Sequence, residues 1–463
     1  MGEASPMFIP TFNHSLYIEA RPDRLSADGG GVLLREVLEQ SCIIEWLIAH
    51  LVDTRAQDQI DYPLAELLRT VLVLYGQGWR DQDDADALRF DPALRLAISE
   101  AAGTAALDEG HHLPSQPTLS RLLEMLSQPA NLRVLQNAVA EMAGRRLRAM
   151  RRGHRLRQVT IDIDGLPIEV HGNQPKAAYN GHYHQQMYHL IVASSAETGD
   201  MLDARLRAGN AHTAEGALDF VLDLVSRVEM TLCQVALVRM DAGFPGEPLL
   251  AGLEANRTPY VARIKTNNAL DRLAAPHLGR PAGRPPAEPR IWFHEKSYAA
   301  GAWSGERRVV LVVLERPGEL LLDHFWLLTN IDAQTLSGEE LLALYRERGT
   351  AEGHMGELMD VLAPALSASS RARWPHASDA FARNEALLLL HLLAYEVLHS
   401  GRCVMQKITR TGWSLRRFRE RVLKVGARVV LHARRATLVV AETAAPSWRQ
   451  FCQGLKGLAW NTA

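Results

Sequence analysis

The fold of the chain is decided by two apolar stretches, QVTIDIDGLPI at Gln158–Ile168 and CQVALVRM at Cys233–Met240. The first alternates and is rich in β-branched residues, which predicts a strand, and the second predicts a buried strand. Asp162 and Asp164 lie two apart on the first strand and share one face, and Asp241 follows the second. A carboxylate on an apolar strand is costly unless it meets a metal or a cation. We therefore take these acids as candidate functional residues, although a salt bridge for Asp162 and a turn cap for Asp241 are alternatives.

The segments that follow predict three strands, a helix, and then a further strand, helix and strand. After the first strand these elements are Met187–Ser195, Met201–Arg207, Thr213–Val228, Cys233–Met240, Glu247–Ala255 and Tyr260–Lys265. This is the order of a ribonuclease-H-like core, so the predicted fold class is α/β.

Five segments are predicted along the chain. Residues 1–150 form a helical N-terminal DNA-binding domain, or a plain helical bundle. Residues 151–265 form the first part of the core, residues 266–335 a β-rich insertion, and residues 336–375 the last part of the core. Residues 376–463 are predicted to be a basic helical C-terminal region.

Composition excludes several classes of protein. Hydrophobic residues make up 47% and charged residues 22% of the 463 residues, which allows a large core. No run of about 18 uncharged apolar residues predicts a membrane span, and the start, MGEASPMFIPTFNHS, lacks the basic and then apolar pattern of a secretory signal. The four cysteines lie far apart without a CxxC pair, which argues against a zinc ribbon or a disulfide framework. We therefore expect a cytoplasmic, nucleoid-associated protein with no membrane partner.

The distribution of charge points to nucleic acid, although the net charge is only −2. Seven arginines and no acid lie between Gly144 and Arg157, and eleven lysines or arginines with one acid lie between Gly401 and Arg435. Basic segments of this density can neutralise phosphates, and the alternative for each is a solvated helix face. Candidate DNA-binding residues in them are Arg151, Arg152, Arg416 and Arg417.

A third acid comes from YRERGTAE at Tyr345–Glu352. On a helix Tyr345, Arg348 and Glu352 have the spacing i, i+3 and i+7, so they share one face. That face combines an aromatic ring, a guanidinium that can bind phosphate and a carboxylate that can bind a metal. The alternative is an exposed charged helix.

Spaced blocks of the chain resemble DDE transposases of bacterial insertion sequences, specifically the insertion-sequence 1380 family within the insertion-sequence-4 group. The N-terminal blocks are Leu25–Gln40, Gly78–Ile98 and Ser115–Leu122. Thr160–Val192 resembles the block around the first aspartate, Val238–Lys265 the block around the second, and Tyr345–Glu352 the family's Y-x2-R-x3-E pattern. The resemblance covers nearly the whole chain.

The resemblance implies a function and roles for particular residues. Asp164, Asp241 and Glu352 would form the catalytic triad and bind two Mg²⁺ or Mn²⁺ ions, with Asp162 as the alternative first carboxylate. Tyr345 and Arg348 would position the DNA strand end. An aromatic residue of the insertion, Trp326 or Phe325, would stack on a flipped base, with two core aromatics as the alternative.

The implied activity is binding of terminal inverted repeats in double-stranded DNA, Mg²⁺-dependent cleavage of the ends, and joining of the 3′ hydroxyl to target DNA. A homodimer would hold two ends together. A catalytically inactive DNA-binding regulator and a stand-alone nuclease are the competing hypotheses. Two departures from the family stand out: Met359 occupies the position of the usual lysine, and Gly165 follows Asp164 where Ser or Thr is common. His182, His184 and His189 are interpreted as polar or DNA-facing residues rather than as metal ligands.

Overall fold

The computed structural model describes residues 7–151, 156–280, 283, 286–319, 321–368, 380–458 and 460. The N-terminal part is helical, as predicted, after one short strand. Its elements are β1 (Leu25–Ser26), α1 (Gly31–Ser41), α2 (Ile43–His50), α3 (Leu64–Gln77), α4 (Asp84–Ala87), α5 (Pro92–Ile98), α6 (Gln116–Leu126) and α7 (Pro129–Met150).

The middle of the chain contains a large mixed sheet and the helices that cover it. Its elements are β2 (Gln158–Glu169), β3 (Ala178–Asn180), β4 (Gln185–Ser195), β5 (Met201–Arg205), α8 (Ala217–Thr231), β6 (Gln234–Met240), α9 (Glu247–Ala255), β7 (Tyr260–Ile264), α10 (Asn268–Ala274), β8 (Arg290–Tyr298), β9 (Arg307–Glu315), β10 (Asp323–Thr329), α11 (Gly338–Arg346) and α12 (Arg348–Glu357). A π-helical turn, Leu358–Leu362, follows α12.

The C-terminal part begins with the longest helix among the described residues. Its elements are α13 (Ala380–Thr409), α14 (Leu415–Phe418), a π-helical turn (Arg419–Leu423), β11 (Ala427–His432), β12 (Arg435–Val440) and α15 (Ala445–Lys456). By length and composition α13 is apolar enough to cross a membrane, but its most apolar 18-residue window is 100% buried inside the protein. It is a core helix.

The sheet has the strand order of the predicted ribonuclease-H-like core. Among the described residues it has nine strands in the order β3-β4-β2-β6-β7-β10-β9-β8, and β5 pairs with β4. β2 is antiparallel to β4 and parallel to β6, and β6 is parallel to β7. The carboxyl ends of β2 and β6 therefore reach the same edge, where ligands bind in open α/β sheets.

The β-rich segment at 266–335 extends this sheet. β10 pairs antiparallel with β7, with Trp326 opposite Ile264, and β9 and β8 follow it. The free edge of β7 explains the arrangement, because its backbone groups need partners and β10 supplies them. The segment therefore continues the core sheet.

The C-terminal region is not wholly helical, which corrects the expectation for 376–463. β11 and β12 form an antiparallel hairpin, and β1 pairs with β11 through Leu25 and Ser26. The sequence signal was the alternation of β-branched residues in ARVVLH and RATLVV, which favours strands. The predicted boundary between 375 and 376 lies outside the described residues.

One hydrophobic core joins the two ends of the chain. Buried residues of α1, α3 and α7 pack in the same cluster as those of α13, including Leu34, Leu68, Val139 and Leu393. A second cluster lies between the sheet and helices α8 to α10. The helices of residues 1–150 thus bury their apolar faces against the C-terminal helix.

Candidate functional site

Two of the predicted acids meet at the carboxyl edge of the sheet. Ile163 of β2 is paired with Met240 of β6, so Asp164 and Asp241 are the next residues on two adjacent parallel strands. The backbone N–H of Gly165 donates to Asp164 Oδ1 at 2.8 Å, and that of Gly243 donates to Asp241 Oδ1 at 2.9 Å. Each carboxylate is thereby oriented by a nearby backbone N–H, that of Asp164 within strand β2 and that of Asp241 in the turn after β6.

Helix α12 brings the third acid to this edge through one arginine. Nη2 of Arg348 donates to Asp164 Oδ2 at 2.7 Å, and Nη1 donates to Glu352 Oε1 at 2.7 Å. The Arg348 side chain is only 10% exposed, whereas that of Glu352 is 57% exposed. Charge-assisted bonds of this kind fix geometry well. Arg348 therefore ties the helix that carries Glu352 to the strand that carries Asp164.

The far end of α12 is also held in place. Glu357 forms an ion pair with Arg402 of α13, and its other oxygen accepts from the backbone N–H of Leu415 at 3.0 Å. Glu352 therefore sits on a helix that is anchored one turn before it and one turn after it.

The environment of Asp164 shifts its proton affinity. Burial raises the pKa of Asp164 to about 6, against the opposing effect of the Arg348 guanidinium, and the charges of Asp241 and Glu352 raise it further. Like charges disfavour the ionised form only at short range. The charges of Asp241 and Glu352 therefore act on Asp164.

An open cleft of about 650 Å³ lies beside these residues. It is lined by both acidic and basic side chains, among them Asp241, Arg263, Lys265, Arg346, Arg348 and Glu352. Arg263 and Lys265 were not singled out from the sequence. The sequence did contain a signal for them, because Arg263 and Lys265 are two residues apart at the end of a predicted strand and therefore share a face. The cleft thus combines carboxylates for a cation with basic groups for an anion.

Tyr345 and Phe325 line the same cleft. Burial raises the pKa of the Tyr345 phenol above its ordinary value, so the phenol stays neutral and can donate a hydrogen bond. The Arg263 guanidinium lies 5.0 Å from the centre of the Phe325 ring. The two candidate base-stacking residues therefore have different surroundings. Trp326 is fully buried in the core, whereas Phe325 faces the cleft.

Asp162 and Asp164 also have different surroundings. Asp162 is 0% exposed, and its two oxygens accept from Arg239 Nε at 2.7 Å and Nη2 at 2.8 Å. Arg239 is the cross-strand neighbour of Asp162, and it also donates to the carbonyl of Leu344 at 2.7 Å. A bidentate buried pair leaves the Asp162 carboxylate occupied by a guanidinium. The salt-bridge interpretation of Asp162 thus describes this structure, and its role as a metal ligand stays a prediction.

The predicted basic residues that the structure describes, Arg151, Arg416 and Arg417, lie outside the cleft. Arg151 is exposed at the end of α7, and Arg152 lies outside the described residues. Arg416 is exposed, 3.8 Å from Asp360, and the Arg417 guanidinium lies 4.3 Å from the ring centre of Trp413.

Part of the first basic segment is neutralised within the protein. Arg146 is buried against Asp200, and Arg145 and Arg148 pair with Glu141. These three arginines are therefore structural. The Arg145–Glu141 pair has the i, i+4 spacing of one helix, whereas the local sequence did not reveal the partner of Arg146, because Asp200 lies on a distant segment.

The residues present fit a hard divalent cation by their chemistry. Carboxylate oxygens are the ligands that Mg²⁺ and Mn²⁺ prefer. Across the described residues no group of three His, Cys, Asp or Glu side chains is close enough to enclose an ion, since Arg348 holds two of the acids. His189 Nδ1 donates to the carbonyl of Ala211 at 3.0 Å, and Met359 packs against the core, so neither supplies a cleft group.

Comparison with solved structures found a broad similarity to a structure described as a piggyBac transposase synaptic complex with hairpin DNA. The TM-score is 0.42 and the sequence identity 12%, over 84% of this chain and 78% of the other. No curated protein matched the chain. The family model described as "Transposase DDE domain group 1" matches residues 8–460. The chain therefore belongs to the family of transposase DDE domain group 1.

Proposed function

We propose that the chain is a DNA transposase of the insertion-sequence 1380 type, which cleaves the ends of its element and joins the 3′ hydroxyl to target DNA. The family is one of transposases, enzymes that cut and join DNA. The observation that carries the proposal is that Asp241 and Glu352 line one cleft with four basic side chains, and that one of these, Arg348, binds both Glu352 and the neighbouring Asp164.

The chemistry asked of this cleft is phosphoryl transfer. The reaction needs an attacking oxygen and a leaving oxygen in line, with charge neutralised around the phosphorus. Two divalent ions held by Asp164, Asp241 and Glu352 would supply that neutralisation. Arg263 and Lys265 are placed to bind the flanking phosphates, and Tyr345 is placed to donate to a phosphate oxygen.

In this proposal Arg348 binds two carboxylates first and a DNA phosphate afterwards. In the metal-free protein the Arg348 guanidinium neutralises Asp164 and Glu352, and it donates a hydrogen bond of 2.7 Å to each carboxylate. If Asp164 and Glu352 bound divalent cations instead, the Arg348 guanidinium would be free to form a bidentate contact with the scissile phosphate. Like charges would otherwise raise the free energy of the metal-free site, so the arginine stabilises the folded protein until DNA binds.

A supercoiled plasmid carrying the element ends tests the proposal. With Mg²⁺ we expect the wild type to cut at the ends, and Asp241→Ala and Glu352→Ala to be inactive. Glu339→Ala is the matched control, because Glu339 is an exposed acid in the first turn of α11 and lies outside the cleft.

Each other outcome identifies a different function. Cleavage by Glu352→Ala at the wild-type rate would refute the triad. Cleavage that ignores the element ends would indicate a nuclease. Tight binding of the ends by the wild type without cleavage in Mg²⁺ or Mn²⁺ would indicate a DNA-binding regulator. Sedimentation of the protein with paired ends tests the proposed homodimer.

A further inference from the structure

The β11–β12 hairpin has one buried face and one exposed face. Ala427 and Val429 are buried on the inner face. Residues opposite each other in an antiparallel pair share a face. The paired residues Arg428 with Val439, Val430 with Thr437 and His432 with Arg435 are all exposed and form the outer face of the hairpin.

The outer face is basic and carries no acid. From Ala427 to Ala441 the sequence is ARVVLHARRATLVVA, which contains three arginines, one histidine and no Asp or Glu. Within the part of the chain that the structure describes, none of Arg428, Arg434 and Arg435 forms an ion pair, although many other arginines do. A basic surface left without internal partners, in a chain with a net charge of −2, indicates an anionic partner.

Apolar side chains lie between these arginines. Val430 is 39% exposed and Val439 43% exposed, and Leu25 of the neighbouring strand, opposite Arg428, is 64% exposed. At about 3.4 Å per residue, Arg428 and His432 are about 14 Å apart along the strand. A two-stranded ribbon fits the major groove of DNA, which is about 12 Å wide.

A second copy of the chain fits this face less well than DNA does. In a two-fold symmetric dimer the same patch meets itself. Arg428, Arg434 and Arg435 would then face the arginines of the other copy with no acid between them, and like charges at close range repel. A phosphate backbone instead neutralises all three.

We propose that the outer face of the β11–β12 hairpin, together with the turn that joins its strands, is a second DNA-contacting surface, which binds backbone phosphates through Arg428 and Arg435 of the face and Arg434 of the turn. It belongs to a different sheet from the carboxylate cleft. The inference rests on the proposed function, since DNA is the partner in both. The hairpin surface binds the duplex through contacts that do not involve the cleft residues.

The salt dependence of DNA binding tests the inference. The logarithm of the binding constant falls with the logarithm of the salt concentration by about 0.9 for each phosphate contact. We therefore expect R428Q/R434Q/R435Q to bind a labelled duplex of the element end with a slope shallower by about 2.7 than that of the wild type. The affinity for a scrambled duplex should weaken by the same factor, because phosphate contacts carry no sequence information.

Two controls separate the two proposals. Arg257→Gln removes a charge from another exposed position, and we expect it to keep the wild-type slope. Glu352→Gln removes cleavage in the proposed mechanism but leaves the hairpin intact, so adding R428Q/R434Q/R435Q to it should make its slope shallower by about 2.7, as in the wild-type background. Thermal unfolding of the triple variant should match that of the wild type, because the three side chains are exposed.

Three results would overturn the inference. The first is a triple variant with an unchanged slope alongside a wild type that cuts the element ends, which leaves the proposed function standing. The second is an unchanged slope together with loss of self-association in the absence of DNA, which would assign the face to a second copy. The third is a wild type that binds neither duplex, which would overturn both proposals.

Discussion

The two aspartates of strand β2 provide a sharp test of the site, because they differ in surroundings rather than in sequence context. Asp162→Asn leaves the Arg239 guanidinium fully buried with only the Leu344 carbonyl and Glu347, the latter at 3.2 Å with a side chain that is 69% exposed. Breaking a buried ion pair by removing one partner costs about 3–5 kcal/mol. Because Glu347 compensates in part, we expect the lower end, about 3 kcal/mol.

Asp164→Asn should have the opposite effect. The rise in the pKa of Asp164 from 3.8 to about 6 means that the folded protein disfavours its charge at pH 7. At about 1.4 kcal/mol for each factor of ten, that amounts to roughly 3 kcal/mol in the absence of a metal. A neutral asparagine is free of that cost but loses its pairing with Arg348. We therefore expect unchanged or slightly higher stability together with loss of cleavage.

Denaturant unfolding and plasmid cleavage measure the two effects separately. Unfolding midpoints of metal-free protein at pH 7 give the stability of each variant. Cleavage per folded molecule, measured well below those midpoints, gives the catalytic effect. An Asp162→Asn variant of wild-type stability that cannot cleave, beside an Asp164→Asn variant that cleaves normally, would refute the assignment of Asp164 to the triad.

The remaining predictions concern the pH dependence that Asp164 causes and the different roles of Phe325 and Trp326. Because the pKa of Asp164 is raised from 3.8 to about 6, its protonated form stabilises the metal-free protein fully below pH 3.8, and this contribution is lost as the pH rises through about 6. The free energy of unfolding should therefore fall between these pH values in the wild type and not in Asp164→Asn. Mg²⁺-dependent cleavage should fall in the opposite direction, as the pH drops below about 6, since a metal ligand must be deprotonated; a pH-independent rate from 5 to 8 would contradict this. Phe325→Ala should weaken binding of a duplex with an unpaired base by about 1–3 kcal/mol if Phe325 stacks on that base. Trp326→Ala should instead destabilise the fold by about 3–5 kcal/mol, since Trp326 is fully buried. Equal effects of both variants on DNA binding at unchanged stability would refute this division of roles.

The sheet extension changes how the segment at 266–335 is understood. Its strands continue the hydrogen bonding of β7 through β10, so Phe325 is carried on the same rigid sheet as Asp164. A side chain on a strand of the core sheet is placed more accurately than one on a loop. This explains how a residue far along the chain comes to line the cleft beside Tyr345.

The sequence by itself determined the local structure around the candidate acids. Alternation in QVTIDIDGLPI predicted β2, and the apolar run before Asp241 predicted β6. The spacing of Tyr345, Arg348 and Glu352 predicted a shared helix face, although the helix breaks at Glu347 between α11 and α12. Local patterns suffice here because side-chain direction has period 2 in a strand and 3.6 in a helix.

Only the tertiary structure decided which groups meet. Asp162 and Asp164 share one strand face, yet Arg239 on the neighbouring strand takes the first while Arg348 on α12 takes the second. Phe325 and Trp326 are adjacent, yet the pleat of the strand sends one to the cleft and the other to the core. Arg239 lies 77 residues along the chain from Asp162, and Arg348 lies 184 residues from Asp164. Electrostatic pairing depends on distance in space, which a linear pattern does not encode, so the roles of otherwise similar residues were set by packing.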